Sequence, residues 1–287
     1  MLRKGAGSPG SCLSLFLHGG GIDRPAGTTG GTSGQQGYYG EWAACRNLAF
    51  CEQKQAVEAG KPYTLRLRSP GDESRRILID DLIKGKIEMP ENAQDIVLLK
   101  TDGIPTYHFA HAVDDHLMRT THVVRGDEWI ASLPIHLQLF KCCGFKPPKY
   151  AHFAPIMKEE NGGKRKLSKR KDPEAAVSYY IEQGYPKESV IEYLLTLANS
   201  NFEDWRRANK TAPQADFPFN LKKMSASGAL FDLQKLNDVS KNVISLMTAD
   251  EVYDRAVNWA QQYDEALYRL LMRTKPLPRV SFALTAA

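Results

Sequence analysis

A run of cations in the middle of the chain limits what its surroundings can fold into. Six of the eight residues from Lys164 to Lys171 are lysine or arginine. Their mutual repulsion keeps the run out of a packed core, so we expect it in solvent or against a polyphosphate. Gly162 and Gly163 precede it, and Asp172 and Pro173 follow with the residue types of a helix N-cap and a first helical position. The sequence therefore predicts a mobile basic loop at the entrance to a helix.

The residues before and after this run follow different patterns. Before it, apolar and polar residues alternate in short strands that are interleaved with helical periods, and Gly85 and Pro90 are predicted to separate two of the strands. After Asp172 the pattern is helical. We predict strands at 63–68, 76–79, 95–99 and 122–124, and helices at 105–118, 134–143, 175–183 and 187–199. Strands alternating with helices favour an α/β layer with parallel strands, followed by a helical part.

Composition excludes several classes of protein. A length of 287 residues suggests two domains, and a net charge of +5 with a local basic run suits phosphate or nucleic-acid contact. No segment has the length of an apolar membrane span, and the start does not resemble a signal peptide. The five cysteines are odd in number and form no CxxC pair, which argues against a disulfide framework and a zinc site. Cytoplasm is the expected location.

Both ends of the chain differ from its middle. Residues 1–37 contain 11 of the 22 glycines and are predicted to be a disordered or out-of-frame lead. Codons can be chosen for residues 18–32 that, when they are read in the frame one base later, encode a sequence beginning Thr-Glu-Glu-Glu-Leu. That sequence is typical of the start of an amphipathic helix. By the same argument, residues 273–287 are predicted to be an aberrant tail. Flanking DNA in all three frames tests this hypothesis.

One group of polar residues has the spacing of a possible metal cluster. Its members, three and four residues apart on a predicted helix, are His108, His111, Asp114, Asp115 and His116. The surrounding Tyr-His-Phe-Ala phrase favours structural hydrogen bonding instead, so we predict no metal ligands here.

Several phrases together carry a resemblance to a known family. Lys-Leu-Ser-Lys-Arg at 166–170 resembles the KMSKS signature of class I aminoacyl-tRNA synthetases. The phrases at 100–110, 113–118, 121–129 and 227–233 follow in the order and spacing of a bacterial glutamyl-tRNA synthetase. Residues 38 to about 272 resemble that enzyme.

The resemblance implies a fold of class α/β: a partial Rossmann-type class I synthetase catalytic domain followed by an α-helical stem-contact domain. It assigns 38–97 to the end of the connective, acceptor-binding insertion and 98–165 to the second Rossmann half. Residues 166–272 correspond to the KMSKS loop and the helical domain. The half with the HIGH signature and the anticodon-binding domain have no counterpart, so we expect the isolated chain to form no aminoacyl-tRNA.

The resemblance also implies roles in the basic run. Lys166 and Lys169 match the two signature lysines, and Ser168 matches the small hydroxyl residue, so these three are the predicted catalytic residues. Lys166, Lys169 and Arg170 are the predicted contacts to the phosphates of ATP. Positive charge there would stabilise the charge that develops as pyrophosphate leaves.

Amino-acid recognition is implied for three further residues. Arg125 follows an apolar strand and matches the arginine that holds the substrate carboxylate, a task that suits a bidentate guanidinium. Tyr107 matches a tyrosine beside the bound glutamate. His111 stands where many relatives have asparagine. Arg125 and Lys169 are expected to face one cleft.

Contacts to tRNA are predicted for Tyr38, Arg46 and Arg66, because aromatic and basic groups suit single-stranded RNA. The implied substrates and partners are glutamate, ATP with Mg²⁺ as substrate, and tRNA-Glu, with no membrane, no zinc and a monomeric chain. Two alternatives stay open at this point: a glutamyl-queuosine tRNA(Asp) synthetase and a noncatalytic tRNA-binding fragment, which steep salt dependence without ATP turnover would indicate.

Overall fold

The computed structural model describes the backbone of residues 13–17 and the whole of residues 45–273. The chain divides into two compact units, Met1–His152 and Phe153–Ala287. The predicted domain ranges, including the boundary between 165 and 166, stay predictions. So do the lead at 1–37 and the tail at 273–287, which lie outside the described residues except for the strand at 13–17 and residue 273.

The first unit combines strands with helices: strands follow one another directly between residues 63 and 99, and from there to residue 153 strands and helices alternate, as the sequence predicts. Its strands are β1 (Leu13–Leu17), β2 (Tyr63–Leu67), β3 (Arg76–Asp81), β4 (Gly85–Pro90), β5 (Val97–Leu99), β6 (His122–Gly126) and β7 (Lys149–Phe153). Its helices are α1 (Phe50–Glu58), α2 (Tyr107–Leu117) and α3 (Leu133–Cys142), with a 3₁₀ segment at Asp127–Ser132.

Two sheets organise this unit. In the first, with order β1-β2-β5, both strand pairs are antiparallel. In the second, with order β4-β3-β7-β6, β3 runs antiparallel to β4 and parallel to β7. The sequence prediction missed β4, because Gly85 and Pro90 were interpreted as separators. Gly85 has φ +75 and begins β4 at the hairpin turn, and Pro90 ends that strand opposite Arg76.

The main core of the unit forms between helices α2 and α3 and the strands β2 and β5. Leu67 and Leu98 are fully buried and belong to one cluster with Phe109 of α2 and Phe140 of α3. Each such side chain stabilises the fold by roughly 1.5–3 kcal/mol. A second cluster of Ile79, Leu133 and Tyr150 links β3, α3 and β7, and it supports the ends of these strands.

The second unit is helical apart from one hairpin. Its elements are β8 (Met157–Glu160), β9 (Gly163–Lys166), α4 (Val177–Glu182), α5 (Lys187–Ala198), α6 (Phe202–Ala208), α7 (Leu233–Ser245), α8 (Ala249–Tyr263) and α9 (Glu265–Arg273). The β8–β9 hairpin is joined to the helical part by a bridge between Met157 and Leu230. Within the described ranges, no helix has the length and apolarity that a membrane crossing requires.

Candidate active site

Arg125 lies near the end of β6, and its guanidinium is inside the first unit, with 9% of the residue exposed. Its Nε–H donates to Nε2 of His152 over 2.9 Å, and its Nη2 donates to Nδ1 of His136 over 3.2 Å. Its Nη1 is buried and has no hydrogen-bond partner among the described residues. Because a guanidinium stays protonated in proteins, the site presents a buried positive charge with an unused donor.

The surroundings of Arg125 leave that charge without a counter-ion. In the part of the chain that the structure describes, no carboxylate forms an ion pair with it. Instead, the rings of Tyr150 and Trp129 lie 5.1 and 5.7 Å from its guanidinium carbon. A buried charge is costly unless it is paired, so the ligand that fits this site is an anion such as a carboxylate.

Tyr107 and His111 lie beside Arg125, where the sequence predicts them. Their rings are stacked with centroids 6.0 Å apart, and the ring of Trp129 lies 4.4 Å from that of Tyr107. Tyr107 is 50% exposed, whereas His111 is buried between the carboxylate of Asp115 and the hydroxyl of Tyr150. The structure therefore brings the three predicted glutamate-binding residues together, with Tyr107 on the solvent side.

Four histidines form a cluster with Arg125, the Arg125 cluster, and burial keeps them neutral. Burial, followed by the charges of His111 and Arg125, lowers the pKa of His136 to about 2. Burial also lowers the pKa of His108, His111 and His152. At neutral pH His136 and His152 can therefore accept hydrogen bonds from Arg125 without adding positive charge beside it.

Sequence reasoning missed His136, His152 and Asp81. His152 lies on β7 and Asp81 ends β3, 71 residues away along the chain. No local spacing predicts such a pair. The available signal was the strand end itself, since Asp81 is the last residue of β3 and Arg125 is the next-to-last residue of β6.

The residues of the possible metal cluster take separate positions. His116 stacks on Phe145 with centroids 3.7 Å apart, and Asp115 contacts His111. Within residues 45–273, no group of three or more histidine, cysteine, aspartate or glutamate side chains is arranged to hold a metal ion.

The basic run lies in the second unit and is more constrained than its charge predicts. Its first residues form β9, which pairs with β8 through a turn at Asn161 and Gly162 with φ 53 and +77. Arg165 on β9 makes a two-point ion pair with Asp172, with Nη1–Oδ2 and Nη2–Oδ1 distances of 2.6 and 2.8 Å. It also contacts Glu160 across the hairpin. The prediction that the run lies in solvent or against a polyphosphate is therefore wrong for Arg165, whose charge is paired within the protein.

The side chain of Asp172 anchors the turn. Its carboxylate accepts the backbone N–H of Ser168 over 2.8 Å as well as the two bonds from Arg165, and Lys158 lies 3.3 Å away. These contacts, Arg165 first, hold its pKa well below the ordinary value. It makes no side-chain cap bond, and only a 3₁₀ turn follows, at Pro173–Ala175. Asp172 thus takes the predicted N-cap position and Pro173 the first helical position, here of a 3₁₀ turn, but the carboxylate makes no cap bond because Arg165 and Ser168 occupy it.

The signature residues form the exposed part of the same turn. The backbone N–H groups of Lys171 and Asp172 donate to the carbonyl of Ser168 over 3.0 and 2.8 Å. Lys166, Lys169 and Arg170 are exposed, as is Lys171, while Ser168 is half-buried. The turn thus holds three consecutive cations, 169–171, towards solvent on an anchored frame, an arrangement suited to phosphates.

Two of the three predicted tRNA contacts are engaged within the protein. Arg46 donates through Nε to Asp95 over 2.5 Å, and Arg66 donates through Nη1 to the carbonyl of Asp95 over 2.8 Å. Tyr38 lies outside the described residues. Their predicted role in RNA binding stays a prediction, as does a cleft shared by Arg125 and Lys169.

Comparison with known proteins shows the family of this chain. Residues 35–238 match the model of "tRNA synthetases class I (E and Q), catalytic domain". The chain belongs to this family. Arg125, Tyr107, His111 and the turn at 166–170 all lie inside the matched range. The family resemblance that the sequence predicts is therefore confirmed.

Similar proteins come from several bacteria. The chain is 55% identical over 246 residues to a glutamate–tRNA ligase of Clostridium perfringens strain 13, covering 86% of this chain and 45% of that protein. It is 51% identical over 251 residues to one of Sorangium cellulosum, covering 83% and 44%. This member of the class I synthetase family therefore spans about half the length of the relatives it matches.

Solved structures agree with the fold. A glutamate–tRNA ligase from Elizabethkingia meningosepticum, solved in complex with its amino acid, superposes with a TM-score of 0.63 and 32% identity over 78% of this chain and 48% of that one. The enzyme from Elizabethkingia anophelis gives 0.62 and 29%, over 78% and 49%. The α/β class I synthetase fold with a helical C-terminal part is thus confirmed.

Proposed function

We propose that this class I synthetase chain carries the amino-acid and phosphate sites of a glutamate–tRNA ligase. The observation that carries the proposal is the buried guanidinium of Arg125, which has an unused Nη1 and no carboxylate partner among the described residues. An anionic amino acid supplies the missing counter-charge. The relatives at 55% and 51% identity bear the name glutamate–tRNA ligase, which favours this activity over the glutamyl-queuosine alternative.

The reaction has two steps. A carboxylate oxygen of glutamate attacks the α-phosphorus of ATP, and the bond to pyrophosphate breaks, with Mg²⁺ accompanying the phosphates. A ribose hydroxyl at the 3′ end of tRNA-Glu then attacks the carbonyl of the adenylate, and AMP leaves. The protein contributes position and positive charge in both steps.

Each group of residues has a role in this proposal. Arg125 binds a substrate carboxylate, and Tyr107 and His111 form the wall beside it. Lys169 with Lys166 and Arg170 contacts the phosphates, and Ser168 shapes the turn that presents them. Contact of Tyr38, Arg46 and Arg66 with tRNA, a monomeric state and a cytoplasmic location belong to the same proposal.

Ligand binding to the 287-residue chain tests the amino-acid site directly. Calorimetric titration with L-glutamate is expected to show binding at about 1 mM or tighter, and L-glutamine and D-glutamate should bind more weakly. Equal affinities for L-glutamate and L-glutamine, or no binding of either, would overturn the proposal.

Catalysis is a separate test. We predict no aminoacyl-tRNA from the isolated chain, and exchange of labelled pyrophosphate into ATP with glutamate and tRNA present measures this. Glutamate-dependent exchange by the purified chain would contradict that prediction while supporting the proposed function.

A further inference from the structure

The two histidines that contact Arg125 must be in opposite tautomeric states. A guanidinium can only donate, so each nitrogen that faces it must carry a lone pair. His152 faces Arg125 with Nε2, which leaves its single proton on Nδ1. His136 faces Arg125 with Nδ1, which leaves its proton on Nε2, 2.9 Å from Nδ1 of His108.

Asp81 selects the tautomer of His152. Its Oδ2 lies 2.6 Å from Nδ1 of His152, where the proton must be. A doubly protonated His152 would direct a second N–H at the Nε–H of Arg125, so the contact is a hydrogen bond between a carboxylate and a neutral imidazole. Asp81 thus determines which face of the imidazole is available to Arg125.

Asp81 is itself held firmly in the structure. Its residue is 3% exposed, and its Oδ1 accepts the backbone N–H groups of Ile83 and Lys84, both over 2.9 Å. Burial by itself raises the pKa of this carboxyl, but the hydrogen bonds from Lys84, His152 and Ile83 outweigh burial and lower it. The group is therefore an ionised acceptor at neutral pH.

We propose that Asp81 is a positioning residue for amino-acid binding, acting on Arg125 through His152. The chain Asp81–His152–Arg125 holds Nε of the guanidinium, His136 holds Nη2, and both N–H groups of Nη1 are left for a substrate carboxylate. The carboxylate ligand in this statement rests on the proposed function. The tautomers and the orientation of Arg125 do not.

The substitution Asp81→Asn separates this role from a merely structural one. The amide keeps the size of the side chain, and its oxygen can still accept from Ile83 and Lys84. Its NH₂ group then faces Nδ1 of His152 and donates, so the proton of the imidazole moves to Nε2. There it meets the Nε–H of Arg125, and the guanidinium must leave its position, as happens when a carboxylate–histidine pair is given the wrong tautomer.

Asp80→Asn is the matched control. Asp80 precedes Asp81 on β3, points to the opposite face of the strand and is exposed. The same chemical change is therefore made one residue away, without a partner in the Arg125 cluster.

Nitrogen-15 NMR of the histidine side chains and of the arginine Nε–H groups decides between the roles. In the unsubstituted chain His152 should be the Nδ1–H form and His136 the Nε2–H form. Asp81→Asn should convert His152 to the Nε2–H form and shift the Arg125 Nε–H signal, while Asp80→Asn leaves both unchanged. An Nε2–H or cationic His152 in the unsubstituted chain, or an unshifted Arg125 signal in Asp81→Asn, would overturn the proposal.

Glutamate titration adds a functional readout. Asp81→Asn should weaken L-glutamate binding by about 10-fold or more, and Asp80→Asn should not change it. In a His152→Gln background, where the amide oxygen accepts from Arg125 without a tautomer, Asp81→Asn should have no further effect on affinity. If the unsubstituted chain binds no glutamate, the proposed function fails, and the NMR result still decides the role of Asp81.

Discussion

The Arg125 cluster and the basic turn at 164–172 both offer cations to an anion, but they hold those cations in opposite ways. Arg125 is buried and oriented by the neutral acceptors His136 and His152. Arg165 is anchored by the carboxylates of Asp172 and Glu160, and the cations that project from the turn have been left exposed. A neutral acceptor fixes direction without cancelling charge, whereas a carboxylate fixes direction and cancels it.

This difference separates binding groups from anchoring groups. A cation that must bind a carboxylate inside the protein cannot also be paired with one, so histidines orient it. A turn in solvent can use some of its cations as anchors because others remain. On this basis Arg165 belongs to the frame of the turn, and Lys169 is exposed and available for the phosphate contact that we propose.

The largest expected effect comes from removing the buried cation. Arg125→Met should weaken L-glutamate binding by about 100-fold, since charge-assisted hydrogen bonds are lost. The free energy of unfolding should fall by no more than about 1 kcal/mol, because an unpaired buried charge is removed with the hydrogen bonds. Calorimetric titration and urea unfolding measure the two quantities. A large loss of stability with unchanged affinity would show that Arg125 is a structural residue, and the contrast between the Arg125 cluster and the basic turn would no longer hold.

The second effect is a dependence of stability on pH. His136 has a folded pKa of about 2 and an unfolded pKa near 6.5. Between these values the unfolded state binds the proton, so the stabilisation is complete above about pH 6.5 and decreases as pH falls. His136→Asn keeps an acceptor for Arg125 and should reduce the slope of unfolding free energy below about pH 5.5 by about 1.4 kcal/mol per pH unit.

Urea unfolding at several pH values measures that slope. Because asparagine is smaller than histidine, the substitution also leaves a small void, and the variant is expected to be less stable at every pH. The test is therefore the slope of the unfolding free energy against pH, and not the difference in stability at any one pH. Equal slopes for the variant and the unsubstituted chain would show that His136 is not held neutral.

The third and smallest effect concerns the anchor of the turn. Asp172→Asn should release Arg165 and the Ser168 N–H and increase tryptic cleavage after 169–171 by about 10-fold, through local opening. Asp204→Asn is the control, because Asp204 pairs with Arg207 on the surface. Cleavage followed by mass spectrometry measures the rate at each site. Equal rates for both variants would contradict the anchoring role of Asp172.

Local patterns predicted much of the fold. The helix predicted at 187–199 is observed at Lys187–Ala198, and the strand predicted at 63–68 is observed at Tyr63–Leu67. The missed strand β4 shows the limit: glycine and proline mark a turn equally well whether they separate two strands or bound one. Hydrophobic periodicity detects a strand or a helix, but only strand pairing decides whether a glycine or proline bounds one strand or separates two.

The candidate site was predicted in part. Arg125, Tyr107 and His111 lie within one short stretch of chain and carried the family resemblance, and the structure brings them together. His136, His152 and Asp81 were not predicted, because they come from three different elements and Asp81 acts on Arg125 only through His152. The exposed turn had a strong charge signal, but that signal did not distinguish anchoring cations from exposed ones.

The amino-acid sequence by itself determined the residue types: a basic turn rich in lysine, an arginine at a strand end, and the order of strands and helices. These depend on local charge, local periodicity and the motifs that carry the resemblance. Only the tertiary structure decided which cations are neutralised and which way Arg125 points. Hydrogen bonds over spacings of 11, 27 and 71 residues make that decision, and they exist only after β3, β6, β7 and α3 have packed.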